Sequence, residues 1–328
     1  MSAIAGTFTT FDTKGIREDL SDAIYNISPK DTPYMSNIKK GQATQTFFEW
    51  QTDSLASADT TNAQIEGDDI ATFDSVTATE RIGDYVQISR KTVILSGTQE
   101  VTDKAGRKSE LAYQLAKKSA ELKRDMEAIL LTNQAARAGN SSTARYTASL
   151  SSWLKTNCSS AANTYSALSA DTNAPSYTNI PVAARTDGTQ TTFTEQMVKD
   201  AMVTAYTNGA KPEFLMVGPH NKTIFSSFSG IATKTFYQSA VSETAIIGAA
   251  DVYVSDFGIL AVVPNRFQRE RDAYLIDPEF SAVIYLRPFI TEPLAKTGDA
   301  EKRMLIVEWG HKVHTEKAHA GIYDLRTT

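Results

Sequence analysis

Apolar and polar positions change period several times along this chain, and each change marks an element. Leu111, Leu115, Leu122, Met126 and Ile129 recur at spacings of four, seven, four and three, the stripe of an amphipathic helix. From Asp103 to Ala138 there is no proline, and Gly106 is the only glycine before Gly139. The pattern therefore predicts one helix over about 103–138, on the order of 40–50 Å long, stopped at Gly139. Lys117, Lys118, Glu121, Lys123, Arg124 and Glu127 supply its solvated remainder. A helix of this length serves as a spine, and its stripe runs for too few heptads to favour a coiled coil.

Upstream the period drops towards two. Thr46–Gln51 (TFFEWQ) and Val76–Ser89, with Ile82, Val86 and Ile88 among polar neighbours, read as strands. Thr52–Ser75 between them is polar and acidic, with Asp53, Asp59, Glu66, Asp68, Asp69 and Asp74. Two strands with such a tip make a protruding hairpin, marginal alone and stabilised by lying on a neighbour; a plain surface loop is the bland alternative. Before it, Arg17–Ile38 carries Leu20, Ile24, Tyr25 and Ile27 at spacings for a short apolar helical face. Pro29 and Pro33 then forbid continuation, so this segment reads as an arm needing a surface supplied by something else.

Asn140–Gln190 is rich in Ser, Thr, Ala and Asn around islands such as Trp153–Leu154, and reads as a loop-rich insertion. Thr192 with Glu195 forms a candidate capping box, and Met197, Val198, Ala201, Met202 and Tyr206 give a helical face closed by Gly209. Phe214–Val217, Val252–Val254, Ile259–Val263 and Ala273–Ile276 read as short strands and Asn221–Phe228 as a short helix. Two longer strands, Ala282–Phe289 and Arg303–His314, flank the turn Lys296–Asp299. Mixed in this order, the elements predict an α+β or α/β sheet domain.

Composition narrows the function classes. The net charge of -5 over 328 residues argues against a dedicated nucleic-acid binder. Cys158 is the only cysteine, which rules out an intrachain disulfide and a cysteine-based metal site. No basic n-region precedes an apolar core at the N-terminus, and runs such as Ile259–Val263 are far too short to span a bilayer. The chain reads as a soluble intracellular product with no membrane partner.

Candidate chemistry is thin. Glu308, His311 and His314 invite a zinc reading, but on a strand Glu308 and His314 would lie about 20 Å apart while His311 points away. His220 follows Pro219 at a strand-to-helix junction without a nucleophile elbow, phosphate loop or dinucleotide fingerprint, and reads as a capping or surface residue. Cys158 lacks a nearby basic partner in sequence and reads as an inert thiol. Glu66, Asp68 and Asp69 lack the spacing of a calcium loop and read as a solvated acidic turn or as salt-bridge partners across a subunit boundary. No catalytic residue, metal or cofactor is expected.

The arm wording, EDLSD-x-IYNISP-x-DTP within Arg17–Ile38, resembles the N-arm of the major capsid proteins of tailed phages. The tail adds VVPNRF at Val262–Phe267, LIDPE at Leu275–Glu279, YLRPF at Tyr285–Phe289, AKTGDAEKR at Ala295–Arg303 and EWGHKVHTEKAHAGIYDL at Glu308–Leu325, in the order of that family. The resemblance implies the α+β Hong Kong 97-type fold, with an N-arm at 1–44 and an E-loop at 45–90. A P-domain would take the spine helix at 91–139 and the strands and C-terminal segment at 282–328. An A-domain with the Ser/Thr-rich insertion would take 140–281. It also implies self-assembly into pentamers and hexamers of a virion capsid, built in the host bacterial cytoplasm around double-stranded DNA bound non-specifically. Implied partners are a portal protein, a separate scaffolding protein and, as an option, a decoration protein.

Some shells of this fold are cross-linked through an E-loop lysine. No lysine occurs here between Lys40 and Lys91, so a non-covalent shell is expected. The chain opens at the arm, so any scaffold is expected as a separate protein unless the N-terminus is already processed. Tyr25, Tyr34 and Met35 on the arm, and Phe47, Phe48 and Trp50 at the E-loop base, are candidate apolar anchors between subunits or ordinary local core. Arg287, Lys296, Asp299 and Arg303 are candidate charged contacts between P-domains. The alternative readings are an encapsulin-like shell holding protein cargo and, last, a hydrolase centred on His220.

Overall fold

A computed structural model describes residues 31–67, 73–76, 78–102, 108–159, 169–170, 178–228 and 252–328. The predicted arm residues Leu20, Ile24, Tyr25 and Ile27, and the tip carboxylates Asp68 and Asp69, lie outside them. In chain order come α1 (Pro33–Asn37), β1 (Lys39–Gln42), β2 (Phe47–Thr52), β3 (Glu80–Tyr85), β4 (Gln87–Ser96), α2 (Gly97–Val101) and α3 (Glu110–Leu130). Then follow α4 (Leu150–Trp153), β5 (Cys158–Ser159), β6 (Ser169–Ala170), β7 (Thr178–Ile180), α5 (Glu195–Thr207), β8 (Phe214–Val217) and α6 (Pro219–Ser226). The chain closes with β9 (Val252–Ser255), β10 (Gly258–Pro264), β11 (Ala273–Ile276), β12 (Ser281–Pro293), β13 (Ala300–Val313) and β14 (Ala320–Ile322).

Three sheets organise these elements. A four-stranded sheet runs β1-β12-β13-β4, with β1 parallel to β12 and the other pairs antiparallel. Its register shifts between Tyr285 and Ile290, where Pro288 has no N–H to give to the ladder. A six-stranded mixed sheet runs β5-β14-β11-β8-β10-β9. The hairpin β2-β3 is widened by β7 and β6. The Ser/Thr-rich insertion is thus divided: β7 lies parallel to the hairpin at Arg81 and Ile82, whereas β5 pairs with the C-terminal β14. The tail does not stay with the long strands, because β14 returns to the six-stranded sheet.

One core lies among α3, α4, the hairpin base and the four-stranded sheet, around Leu122, Met126, Leu130, Trp153, Val307 and Trp309. A second lies between α5, α6 and the six-stranded sheet, around Val198, Met202, Leu215, Phe225 and Leu275. Arg185, its side chain fully buried, stitches the insertion to the second sheet. It pairs with Asp324 at 3.2 Å and Asp187 at 2.9 Å, and its guanidinium lies 4.2 Å from the Tyr323 ring centroid.

The spine helix matches its apolar stripe but is shorter than the proline-free run over 103–138 predicts. At 21 residues it spans about 31 Å, beginning at Ser109, whose hydroxyl accepts from the Ala112 N–H. It ends at Leu130 because the next polar residues are engaged elsewhere. Asn133 donates to the Arg185 carbonyl, while Gln134 donates through its backbone to Ser149 and through its amide to Thr147. Gly139 is a turn residue, at φ +69° between the bridged Arg137 and Tyr146. One further expectation is corrected. Thr194, with no side-chain cap bond, replaces Thr192 as the N-cap of α5. Pro33 starts a helix, at the first position where its missing N–H costs nothing.

Candidate assembly surfaces

The hairpin is anchored by aromatic rings packed against glycine. Phe48 stacks on Trp50 at 5.8 Å and Phe47 tilts against Tyr85 at 4.8 Å. Trp50 reaches Trp153 at 5.5 Å, donates through Nε1 to the His314 carbonyl at 3.0 Å, and lies beneath Lys312. A Cβ on Gly310 would fall 2.5 Å from Phe48 Cε1, so this ring needs the bare backbone. We expect G310A to displace the Phe48 ring and cost roughly 1–3 kcal/mol. A urea melt with an unchanged midpoint would show instead that the ring moves freely.

Beyond this base the described loop residues have no core of their own. Residues 53–67 are exposed throughout, as are 73–76. Leu55 is 99 %, Val76 96 %, Phe73 88 % and Ile65 81 % exposed. Single exposed apolar groups are ordinary, but here four stand on one polar loop with no described residue covering them, the kind of surface that marks an interaction site. Sequence reading dwelt on the carboxylates here and passed over these four; apolar residues isolated in an acidic linker were the available signal. A second exposed apolar stretch is the edge strand β9, with Val252 and Val254 beside Ile259 of β10.

The described part of the arm is docked on its own chain. Tyr34 is 1 % exposed and Met35 is also buried, so the structure places both side chains in the protomer's core and not on a surface facing a neighbour. The Tyr34 hydroxyl lies 2.9 Å from both Ser281 Oγ and His311 Nε2. His311 Nδ1 faces the Ala148 carbonyl at 3.1 Å, which makes Nδ1–H the donor and leaves Nε2 to accept from Tyr34. The His311 N–H donates to Thr147 Oγ1, whose hydroxyl donates to Asp84 at 2.8 Å. Asp84 also accepts from the Ala148 and Tyr85 N–H groups. One buried network therefore joins the arm, the hairpin base, the insertion and β13.

Burial sets the protonation of this network. It pushes Asp84 up to about 7, against hydrogen bonds from Thr147, Ala148 and Tyr85 that favour the carboxylate, and holds His311 down to about 3. Between about pH 4 and 7 the folded protein keeps a proton on Asp84 that the unfolded chain has lost, so this stability falls as pH rises. His311 acts oppositely, its stability being lost as pH falls from about 6.5 towards 3. In D84N, unfolding should release roughly one proton fewer near pH 6 than in the parent. Urea melts across pH with parallel slopes in both proteins would refute that protonation state.

The other candidates separate. Glu308 is buried between Arg145 and Arg287, with Arg287 Nε at 2.8 Å; it shares nothing with His311 or His314. Arg303 pairs with Glu301 at 2.6 Å. Lys296 and Asp299 lie exposed in the β12–β13 turn, where Gly298 takes φ +77°. Glu66 is exposed in the hairpin loop. His220 stands in the first turn of α6, its N–H bonded to Glu270, and burial pushes the Cys158 thiol up to about 12. Among the described residues no three His, Cys, Asp or Glu side chains group to hold a metal ion, and no helix is long and apolar enough to cross a membrane.

Comparison with known proteins follows the same lines. The family model described as SU10 major capsid protein matches residues 3–326. A major capsid protein of Escherichia phage Phieco32 is 43 % identical over 128 residues, which are 39 % of this chain and 36 % of that protein. The match thus spans little more than a third of that relative. Among solved structures, the capsid asymmetric unit of cyanophage A-1(L) superposes with a TM-score of 0.69 at 12 % identity, covering 98 % of this chain and 99 % of that one. A structure of phage G gp27 major capsid proteins with gp26 decoration proteins gives 0.53 at 10 % identity, over 99 % and 100 % of the two chains. The fold is that of the Hong Kong 97-type phage capsids.

Proposed function

This chain belongs to the SU10 major capsid protein family, and from that premise we propose how it builds the head of a tailed phage. Many copies close into an icosahedral shell of pentamers and hexamers around double-stranded DNA, each protomer lending its hairpin loop to a neighbour. The observation that carries this is the contrast within the hairpin: a base fixed by Phe47, Phe48 and Trp50, and a loop exposing Leu55, Ile65, Phe73 and Val76. A rigid base aims the loop and the apolar groups supply the binding. Each such contact is weak alone; repeated around a closed shell, they act together.

In this reading the arm covers 1–44, the E-loop 45–90, the P-domain 91–139 with 282–328, and the A-domain 140–281. Lys296 and Asp299, exposed in the tail turn, and Glu66 on the loop serve as charged contacts between subunits, which set register more than stability. The shell is held without covalent bonds, because the E-loop offers no lysine. A portal protein, a scaffolding protein and, as an option, a decoration protein are the further partners, with assembly in the bacterial cytoplasm. No catalytic role is assigned.

Electron microscopy of the expressed chain, alone and with candidate scaffolding proteins from neighbouring genes, tests the reading. Closed shells that boil to a single protomer band on a denaturing gel are the expected result. A monomer under every combination would overturn the assembly reading, and a ladder of linked bands would overturn the non-covalent one.

A further inference from the structure

We propose that Glu127 is a latch coupling the docking of the arm to the seating of the six-stranded sheet on the spine helix, so that both are held or released together. Glu127 lies fully buried on α3, one position from the core residue Met126. Its Oε1 accepts from the Tyr34 N–H at 2.7 Å and from Asn265 Nδ2 at 2.7 Å, and its Oε2 accepts from the Met35 N–H at 2.9 Å. Tyr34 and Met35 are the second and third residues of α1, whose N–H groups no turn of that helix can satisfy. The preceding Thr32 makes no side-chain cap bond. A carboxylate from the spine helix does that work instead.

The third donor belongs to the other half of the fold. Asn265 follows β10 directly; its N–H donates to the Val217 carbonyl at 2.9 Å and its Oδ1 accepts from the Phe267 N–H at 2.9 Å. Its side chain is thereby fixed to the six-stranded sheet, with the amide nitrogen aimed at Glu127. Among the described residues the carboxylate has three partners, and all are neutral. A buried carboxylate without a paired cation is costly unless its acceptor sites are filled, so losing either the arm or Asn265 weakens the case for the other. Such coupling is reciprocal: whatever frees the arm loosens the sheet, and the reverse. The inference concerns the single protomer and stands apart from the shell reading.

Native-state hydrogen exchange on the intact chain, at low denaturant, tests it. The amides of Tyr34, Met35 and Asn265 are expected to open in one step, with the same dependence on denaturant. In E127Q, whose amide must turn a donor toward these N–H groups, all three should exchange at least roughly tenfold faster. N265D keeps the shape of the side chain but sets a second carboxylate beside Glu127, and should speed exchange at Tyr34 and Met35, to which residue 265 is joined through Glu127. Two outcomes overturn the latch. One is arm amides that open in the parent protein at lower free energy than Asn265. The other is an N265D variant with a folded sheet and unchanged arm protection. The first reads the parent alone, so a variant that fails to fold does not block the test.

Discussion

Replacing Leu55, Ile65, Phe73 and Val76 together by serine is expected to abolish shells while leaving the protomer's melting unchanged. All four side chains stand in solvent in the single chain, so the folded state loses almost nothing and the effect on its stability should stay within about 0.5 kcal/mol. In an assembled shell each would be buried against a neighbour. At about 1.5 kcal/mol or more per side chain the loss is roughly 6 kcal/mol per subunit, on the order of ten-thousandfold in the concentration needed to assemble. Sedimentation velocity with a parallel thermal melt checks both halves. Shells at the parent concentration would mean that the loop is not an anchor. A lowered melting temperature would mean that it packs on its own chain.

The second large effect concerns Tyr34. Y34A removes a fully buried ring and leaves Ser281 Oγ and His311 Nε2 without their partner. Losing the ring, transfer and cavity together, costs about 3–5 kcal/mol, and the orphaned acceptor adds about 1–3 kcal/mol. Against a typical total of about 5–15 kcal/mol this is close to unfolding. Y34F keeps the ring and should lose only about 1–3 kcal/mol. Urea melts of both variants give the comparison, and a Y34A protein within about 1 kcal/mol of the parent would mean that the arm is not docked on the free chain.

Much of this architecture was legible in the chain because it rests on local periodicity. Phe214–Val217 and Ala273–Ile276 fall where their apolar runs end, and the hairpin lies where aromatic alternation meets an acidic linker. What was not legible is what distant partners decide. The spine helix stops early because Asn133 and Gln134 bond to the two ends of the insertion, Arg185 and Thr147. Glu127 looks solvated in sequence and nothing local singles out Asp84, yet both are buried, Glu127 with donors from the arm and the second sheet and Asp84 with donors from the insertion and its own strand. Tyr34 stays open in sequence between a subunit anchor and local core because nothing near it in the chain announces Ser281 or His311. Local pattern finds the elements, and pairing across long separations decides which polar side chains turn inward.

The order of strands in the four-stranded sheet bears on the timing of synthesis. Its inner strands, β12 and β13, come from the end of the chain, whereas its outer strands, β1 and β4, come from the beginning. The arm, made first, has no edge to join until Ala282–Tyr285 has left the ribosome. At about 5–20 residues per second that wait lasts from roughly ten seconds to nearly a minute. Throughout it the hairpin base lacks the Gly310 backbone against which Phe48 packs. A half-made chain thus presents its loop without the platform that aims it until the Gly310 backbone has emerged.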